Sequence, residues 1–111
     1  MPERRDEVLL EDILTSIQRI RQYIVGYDEA TFAATSLVVD AVVRNLEIIG
    51  EASKRLSLGT KSRFPKVPWE KIAGLRNRIA HEYFGVDVSL VWVIVSNELS
   101  KVQQELLSPP V

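Results

Sequence analysis

The stretch SLVVDAVVRNLEIIGEASKRL, residues 36–56, decides the fold. Val38, Val39, Val42, Val43, Leu46 and Ile49, continued by Ser53, recur at steps of three and four, the spacing of one face of an α-helix. Thr35 or Ser36 stands where such a helix needs a cap. The alternation of a half-buried strand is absent here and elsewhere, and no internal repeat or low-complexity tract competes. Helices alone therefore set the fold class.

Outward from this helix the same period returns. On its N-terminal side Leu10, Ile13, Leu14, Ile17, Ile20 and Ile24 mark a first helix from Asp6 to Ile24, with Gly26 placed to end it. YDEATFAATS, residues 27–36, is a polar break with room for a short turn. On the C-terminal side LSLGTKSRFPKVP, residues 56–68, is the longest irregular segment, and its last proline suits the first turn of a third helix, Trp69 to Tyr83. Gly85 ends that helix, and Asp87 or Ser89 caps a fourth, from about 89 to 107. Mostly short connections between four amphipathic helices predict an all-α, antiparallel four-helix bundle with short extra helical turns, forming a single domain over residues 1–111.

Composition narrows the function classes. A domain near 111 residues can bury a core without staples. With no cysteine, there is neither a disulfide framework nor a thiolate metal site. MPERRDEVLLEDIL at the N-terminus is dotted with acids and reads as neither signal peptide nor membrane span, so a cytoplasmic protein without a membrane partner is expected. The net charge is −1, yet residues 44–78 hold nine of the fourteen Lys and Arg and three of the fifteen Asp and Glu, a local balance of +6. Such a segment fits a polyanion, since phosphate neutralisation dominates nucleic-acid affinity. It fits equally well a solvated face balanced by acidic flanks.

GLRNRIAHEYFGVD, residues 74–87, does not fit an ordinary bundle. On an unbroken helix Trp69, Ile72, Ala73, Ile79, Ala80 and Tyr83 lie within about 60° of Arg76, which places Arg76 in the core-facing stripe. A buried guanidinium needs a carboxylate, a bound anion or a water-filled cleft. Asp40, Glu47 and Glu51 are candidate carboxylates on the preceding helix. His81, the only histidine, falls on a polar strip with Gly74, Asn77 and Arg78, and a mid-helix glycine there suggests the close approach of another backbone. Tyr83, on the Arg76 stripe, reads equally as a packed core tyrosine with a satisfied hydroxyl. A zinc-helix reading of HEYFG fails, because the second histidine it requires is replaced by Gly85.

Arg76, four residues, His81, one residue and Tyr83 together resemble the Arg-x4-His-x-Tyr motif of the HepT-like toxins, a branch of the HEPN superfamily of small helical ribonucleases. NLEIIGEASKRL at 45–56 and VPWEKIAGLRNRIAHEYFGVD at 67–87 are similar to that family's second-helix and motif regions. The resemblance implies a metal-independent, cofactor-free endoribonuclease, the toxin of a toxin–antitoxin pair, acting on RNA as a homodimer. It implies catalytic roles for Arg76, His81 and Asn77, with His81 as base or acid and Arg76 on the scissile phosphate. Asn77 would orient the imidazole or touch phosphate. It further implies that a cognate antitoxin of the minimal nucleotidyltransferase type silences the protein by adding AMP to Tyr83. Two other readings stay open: a non-catalytic HEPN-like subunit that docks or presents substrate to a nucleotidyltransferase, and a basic surface that binds nucleic acid without turnover.

Overall fold

The structure, a computed structural model, describes residues 2–80 and 85–108, with the side chains of residues 2–4 left undescribed. Helix α1, Pro2–Tyr23, closes on Gly26, whose φ of 83° is accessible to glycine at little cost. The polar break holds a short helix α2, Glu29–Ala33, started by a reciprocal cap: the Asp28 carboxylate accepts from Thr31 N at 2.8 Å, and the Asp28 N–H donates to Thr31 Oγ1 at 2.9 Å. The long helix α3 runs Ser36–Arg55, with Thr35 at its N-cap position but no side-chain cap bond. Thr35 Oγ1 instead donates to the carbonyl of Thr31.

The segment expected to be irregular contains α4, Leu58–Ser62, capped by Ser57. Asp6 fastens this turn to the start of α1. Its carboxylate accepts from the Ser57 and Thr60 hydroxyls and from Ser57 N at 3.3 Å. The Ser57 hydroxyl, then that of Thr60, hold the Asp6 carboxyl below its ordinary value. This tie joins the N-terminal end of α1 to the C-terminal end of α3, so the two helices run antiparallel.

The third helix is where expectation and structure part. A helix from Trp69 to Tyr83 is expected; α5 covers Trp69–Ala73 and α6 covers Leu75–Ile79. Gly74, at φ −91° and ψ 11°, leaves helical geometry between them, and Ala80 is extended, so the helix does not pass Ile79. The final helix starts as α7, Val88–Val93, on an Asp87 side chain that accepts from Leu90 N at 3.0 Å. It passes through a π turn at Ile94–Glu98, where Leu99 N reaches back to Ile94 O, and continues as α8, Leu99–Leu107.

One core joins these elements. Ile13, Ile17 and Ile20 of α1 meet Val42, Leu46 and Ile49 of α3, all six fully buried. Phe32 from α2 stacks obliquely on Trp92 of α7, with centroids 5.2 Å apart. The antiparallel all-α architecture expected from the periodicity is present, with α5 and α6 packed on α3 and the last helix packed against α1 and α2. Among the described residues no helix is long and apolar enough to cross a membrane.

Candidate functional site

Pro68 and Trp69 start the segment that carries Arg76. Trp69 anchors it, its indole N–H shared between the carbonyls of Lys61 and Phe64 at 3.1 and 3.2 Å. From there the segment lies unusually close to α3. A Cβ placed at Gly50 would stand 3.3 Å from the carbonyl oxygen of Ile72, 3.6 Å from that of Ala73 and 3.8 Å from Leu75 Cβ. Gly50 is thus the glycine that admits a close backbone. Gly74, expected to do so, meets only the Glu70 and Lys71 carbonyls of the preceding turn and serves as the break between α5 and α6.

That contact fixes which side of α6 is inside. Ile72, Leu75 and Ile79 are 4%, 1% and 2% exposed, whereas Arg76 is exposed. Arg76 is therefore not in the core-facing stripe. The three buried residues centre about 65° from it on an ideal helix, and the stripe drawn through Arg76 left out Leu75, its most buried member. The cost of a buried guanidinium does not arise. No ion pair joins Arg76 to Asp40, Glu47, Glu51 or any other described carboxylate.

Arg76 opens instead into a cleft of about 550 Å³ on the outer face of α3. Arg44, Lys54 and Arg55 of α3 line it with Arg76; Asp12 of α1 and Glu47 and Glu51 of α3 supply the opposite charge. Leu9 and Asp12 form one flank, Ala73 and Arg76 the other. Asn77 is exposed next to Arg76. Arg78, assigned by periodicity to the strip of His81, is committed elsewhere: it makes a two-pronged ion pair with Glu98 at 3.1 and 3.0 Å, tying α6 to the π turn. A second cleft of about 520 Å³ lies beyond that pair, between α5–α6 and α8, rimmed by Lys66, Lys71 and Lys101.

His81 and Tyr83 lie outside the described residues. The chain on either side of them is held: Ala80 and Val86 form an antiparallel bridge, and Asp87 N donates to Ile79 O at 2.7 Å. The convergence of Arg44 and Arg55 with Arg76 was not singled out by sequence reasoning. Its signal was present in the basic run 44–78, read as a whole rather than face by face.

An all-helical domain that opens an arginine with no ion pair among the described residues into a cleft of mixed charge, five residues before its only histidine, has parts expected of a small helical nuclease. A match to the Ribonuclease HepT-like family covers residues 13–108, and the chain belongs to this family. It is 38% identical over 106 residues to "Putative RNase MJ1380" of Methanocaldococcus jannaschii, covering 96% of this chain and 97% of that protein. "Putative RNase TTE0752" of Caldanaerobacter subterraneus is 35% identical, covering 87% of each chain. "Probable ribonuclease HepT" of Thermococcus cleftensis is 36% identical, covering 87% of this chain and 88% of its own. No solved structure matches the chain.

Proposed function

We propose that this protein is a metal-independent endoribonuclease, the toxin of a toxin–antitoxin pair, that cleaves RNA by attack of the 2′-hydroxyl on the adjacent phosphate. The observation that carries this reading is Arg76, exposed in a cleft shared with Arg44 and Arg55 and without a described carboxylate partner. A structural arginine would be paired; one that waits in an open cleft is available to an anion. Its planar fork fits two nonbridging oxygens of a phosphodiester and the charge that grows on them in the transition state. His81 exchanges the proton, as base for the 2′-hydroxyl or acid for the 5′-oxygen. Asn77, adjacent to Arg76, orients the imidazole or contacts phosphate. With one histidine per chain, acid and base are both imidazoles only in a homodimer, which is part of the proposal.

Silencing follows from the same charge logic. A partner minimal nucleotidyltransferase transfers AMP from ATP to the Tyr83 hydroxyl, releasing pyrophosphate, and the new phosphodiester occupies the phosphate position at Arg76. Tyr83→Phe escapes silencing. Intact-mass analysis tests this: equal mass gains in wild type and Tyr83→Phe would place the modification elsewhere.

The test of catalysis is incubation with RNA in EDTA followed by analysis of the new ends. Cyclic 2′,3′-phosphate and 5′-hydroxyl termini are expected, absent with His81→Ala and with Arg76→Ala. Binding without turnover would refute the nuclease and leave the basic-surface reading, absence of cleavage would leave the docking subunit, and wild-type cleavage by His81→Ala would refute the catalytic role of His81.

A further inference from the structure

Two clefts flank α6, and they differ in charge. The one that holds Arg76 sets four cationic side chains against three acids. The other, between α5–α6 and α8, sets Lys66, Lys71, Arg78 and Lys101 against Glu98 and Glu105. Glu98 is already neutralised, because both of its carboxylate oxygens accept from Arg78. Three lysines then share the cleft with one acid, the half-buried Glu105. Lys101 and Glu105 have the spacing of a pair along α8, in the weaker order with the lysine first, and no such pair forms. Lys66, Lys71 and Lys101 are all exposed, and none has an ion pair among the described residues.

This cleft presents charge rather than apolar surface. Its floor is Ile72, Leu75, Ile94, Leu99 and Val102, none more than 4% exposed. An amphipathic helix from a protein partner needs apolar area to bury, and this floor is already covered. A phosphate backbone needs cationic groups at the surface with few carboxylates beside them, which is what the rim supplies.

We propose that the α6–α8 cleft is a second RNA site, which holds the phosphate backbone of the substrate strand to one side of the scissile phosphate. The proposal rests on RNA as the substrate, as proposed above, and adds a path for the strand. Helix α6 is the ridge between the two clefts. On an ideal helix Arg76 and Arg78 point about 200° apart, and Asn77 lies about 100° from each, directed away from the buried face of Ile72, Leu75 and Ile79. A strand with its scissile phosphate at Arg76 crosses this ridge over the exposed Asn77, a width of about 10–12 Å, and descends among the lysines on the far side. The Arg78–Glu98 pair ties α6 to the π turn and so fixes the spacing of the walls. Lysines suit the role, since as point charges they neutralise phosphate without demanding one geometry, and contacts to the backbone carry no sequence information directly.

The salt dependence of binding tests this. The probe is a single-stranded 2′-O-methyl RNA, which lacks the attacking hydroxyl, so affinity is read by fluorescence anisotropy without turnover. Each phosphate contact to a single strand contributes about 0.7 to the slope of log Kd against log salt, so combining Lys66→Gln, Lys71→Gln and Lys101→Gln should flatten the slope by about 2. Between about 50 and 200 mM salt the wild type then loses about 20-fold more affinity than the variant. Arg5→Gln with Arg19→Gln is the control, removing two exposed charges of α1 that line neither cleft, and it should keep the wild-type slope. Circular dichroism checks that the helices are intact in each. Equal slopes in the wild type and the triple lysine variant overturn the second site, and are the result that an acidic protein segment as the true occupant would give. A slope flattened as much by the control overturns it too, by making the effect one of total charge. Cleavage of ordinary RNA is scored separately: a wild type that does not cut while the slopes differ overturns the nuclease and keeps the cleft, and equal slopes with cleavage intact overturn the cleft alone.

Discussion

Gly50 offers a measurable link between packing and the site. A Cβ there already approaches the Ile72 carbonyl oxygen to 3.3 Å, with the Ala73 oxygen at 3.6 Å. Both are backbone atoms and have no rotamer through which to yield. Alanine gains about 1 kcal/mol of helix propensity over glycine, which roughly offsets a displacement of a few tenths of an ångström. Gly50→Ala should therefore melt within about 4 °C of wild type. Valine adds two methyl groups beyond a Cβ already in contact. Overpacking of this kind costs about 1–3 kcal/mol against a propensity gain near 0.4 kcal/mol, so a net loss of about 2 kcal/mol is expected for Gly50→Val. For a domain of this size that lowers Tm by about 8 °C. Gly59→Val is the control, since a Cβ there meets only Ser57 Oγ at 3.9 Å, and it should change stability by less than about 0.5 kcal/mol. Gly50→Val also pushes α5 and α6 off α3 and moves Arg76 relative to the cleft. A misplacement near 1 Å can cost about 100-fold in rate, so RNA cleavage should fall even where the variant is fully folded. Thermal melts and cleavage rates at 20 °C are the assays. A Gly50→Val protein that melts within about 2 °C of wild type would show that the close approach constrains nothing.

Arg76→Ala should leave Tm within about 2 °C of wild type while abolishing cleavage, because an exposed arginine without a described partner contributes little to folding; a drop near 10 °C would point to a buried structural pair instead. The Arg78–Glu98 pair is partly shielded and two-pronged, so a double-mutant cycle to alanine should return a coupling of about 1 kcal/mol, and a coupling indistinguishable from zero would remove its role in holding α6 to the π turn. Asp6 has a folded-state pKa below its unfolded one, so its stabilisation is fully present above about pH 5 and is lost as pH falls through the ordinary carboxylate range and then the lower folded value. The stability gap between wild type and Asp6→Asn should therefore shrink below about pH 4 in denaturant titrations; a gap constant from pH 7 to pH 3 would contradict the hydroxyl-bonded carboxylate.

Where a helix is long and its core stripe uninterrupted, the sequence is read directly. Ile13, Ile17 and Ile20, and Val42, Leu46 and Ile49, are the residues periodicity selects and the residues the core buries. Asp87 is legible for the same local reason, because its carboxylate reaches a backbone N–H three residues on, whatever the tertiary fold. The short helices α2 and α4 have too few residues for periodicity to register. Their signals were the caps, Asp28 with Thr31 and Ser57 with Thr60, polar residues three apart in segments read as breaks.

The misplaced arginine has a different cause. A stripe fitted to Trp69, Ala73, Ala80 and Tyr83 leaves out Leu75 and puts Arg76 at its centre, although Trp69 and Ala73 are only half-buried and Ala80 is exposed. Ile72, Leu75 and Ile79 keep one buried face on both sides of Gly74, and the side Gly50 brings closest to α3 is theirs, about 65° from Arg76. The basic run 44–78 fails as a linear signal for a related reason. Charge along a chain says nothing of which faces meet, and here the run divides: Arg44, Lys54, Arg55 and Arg76 share the α3 cleft, while Lys66, Lys71 and Arg78 turn toward α8. Only the first group lies with Arg76, and there Asp12, Glu47 and Glu51 share the cleft with it. The positive excess is therefore local, four cationic side chains against three acids in this cleft, in a chain whose net charge is −1, and a count along the sequence cannot show it.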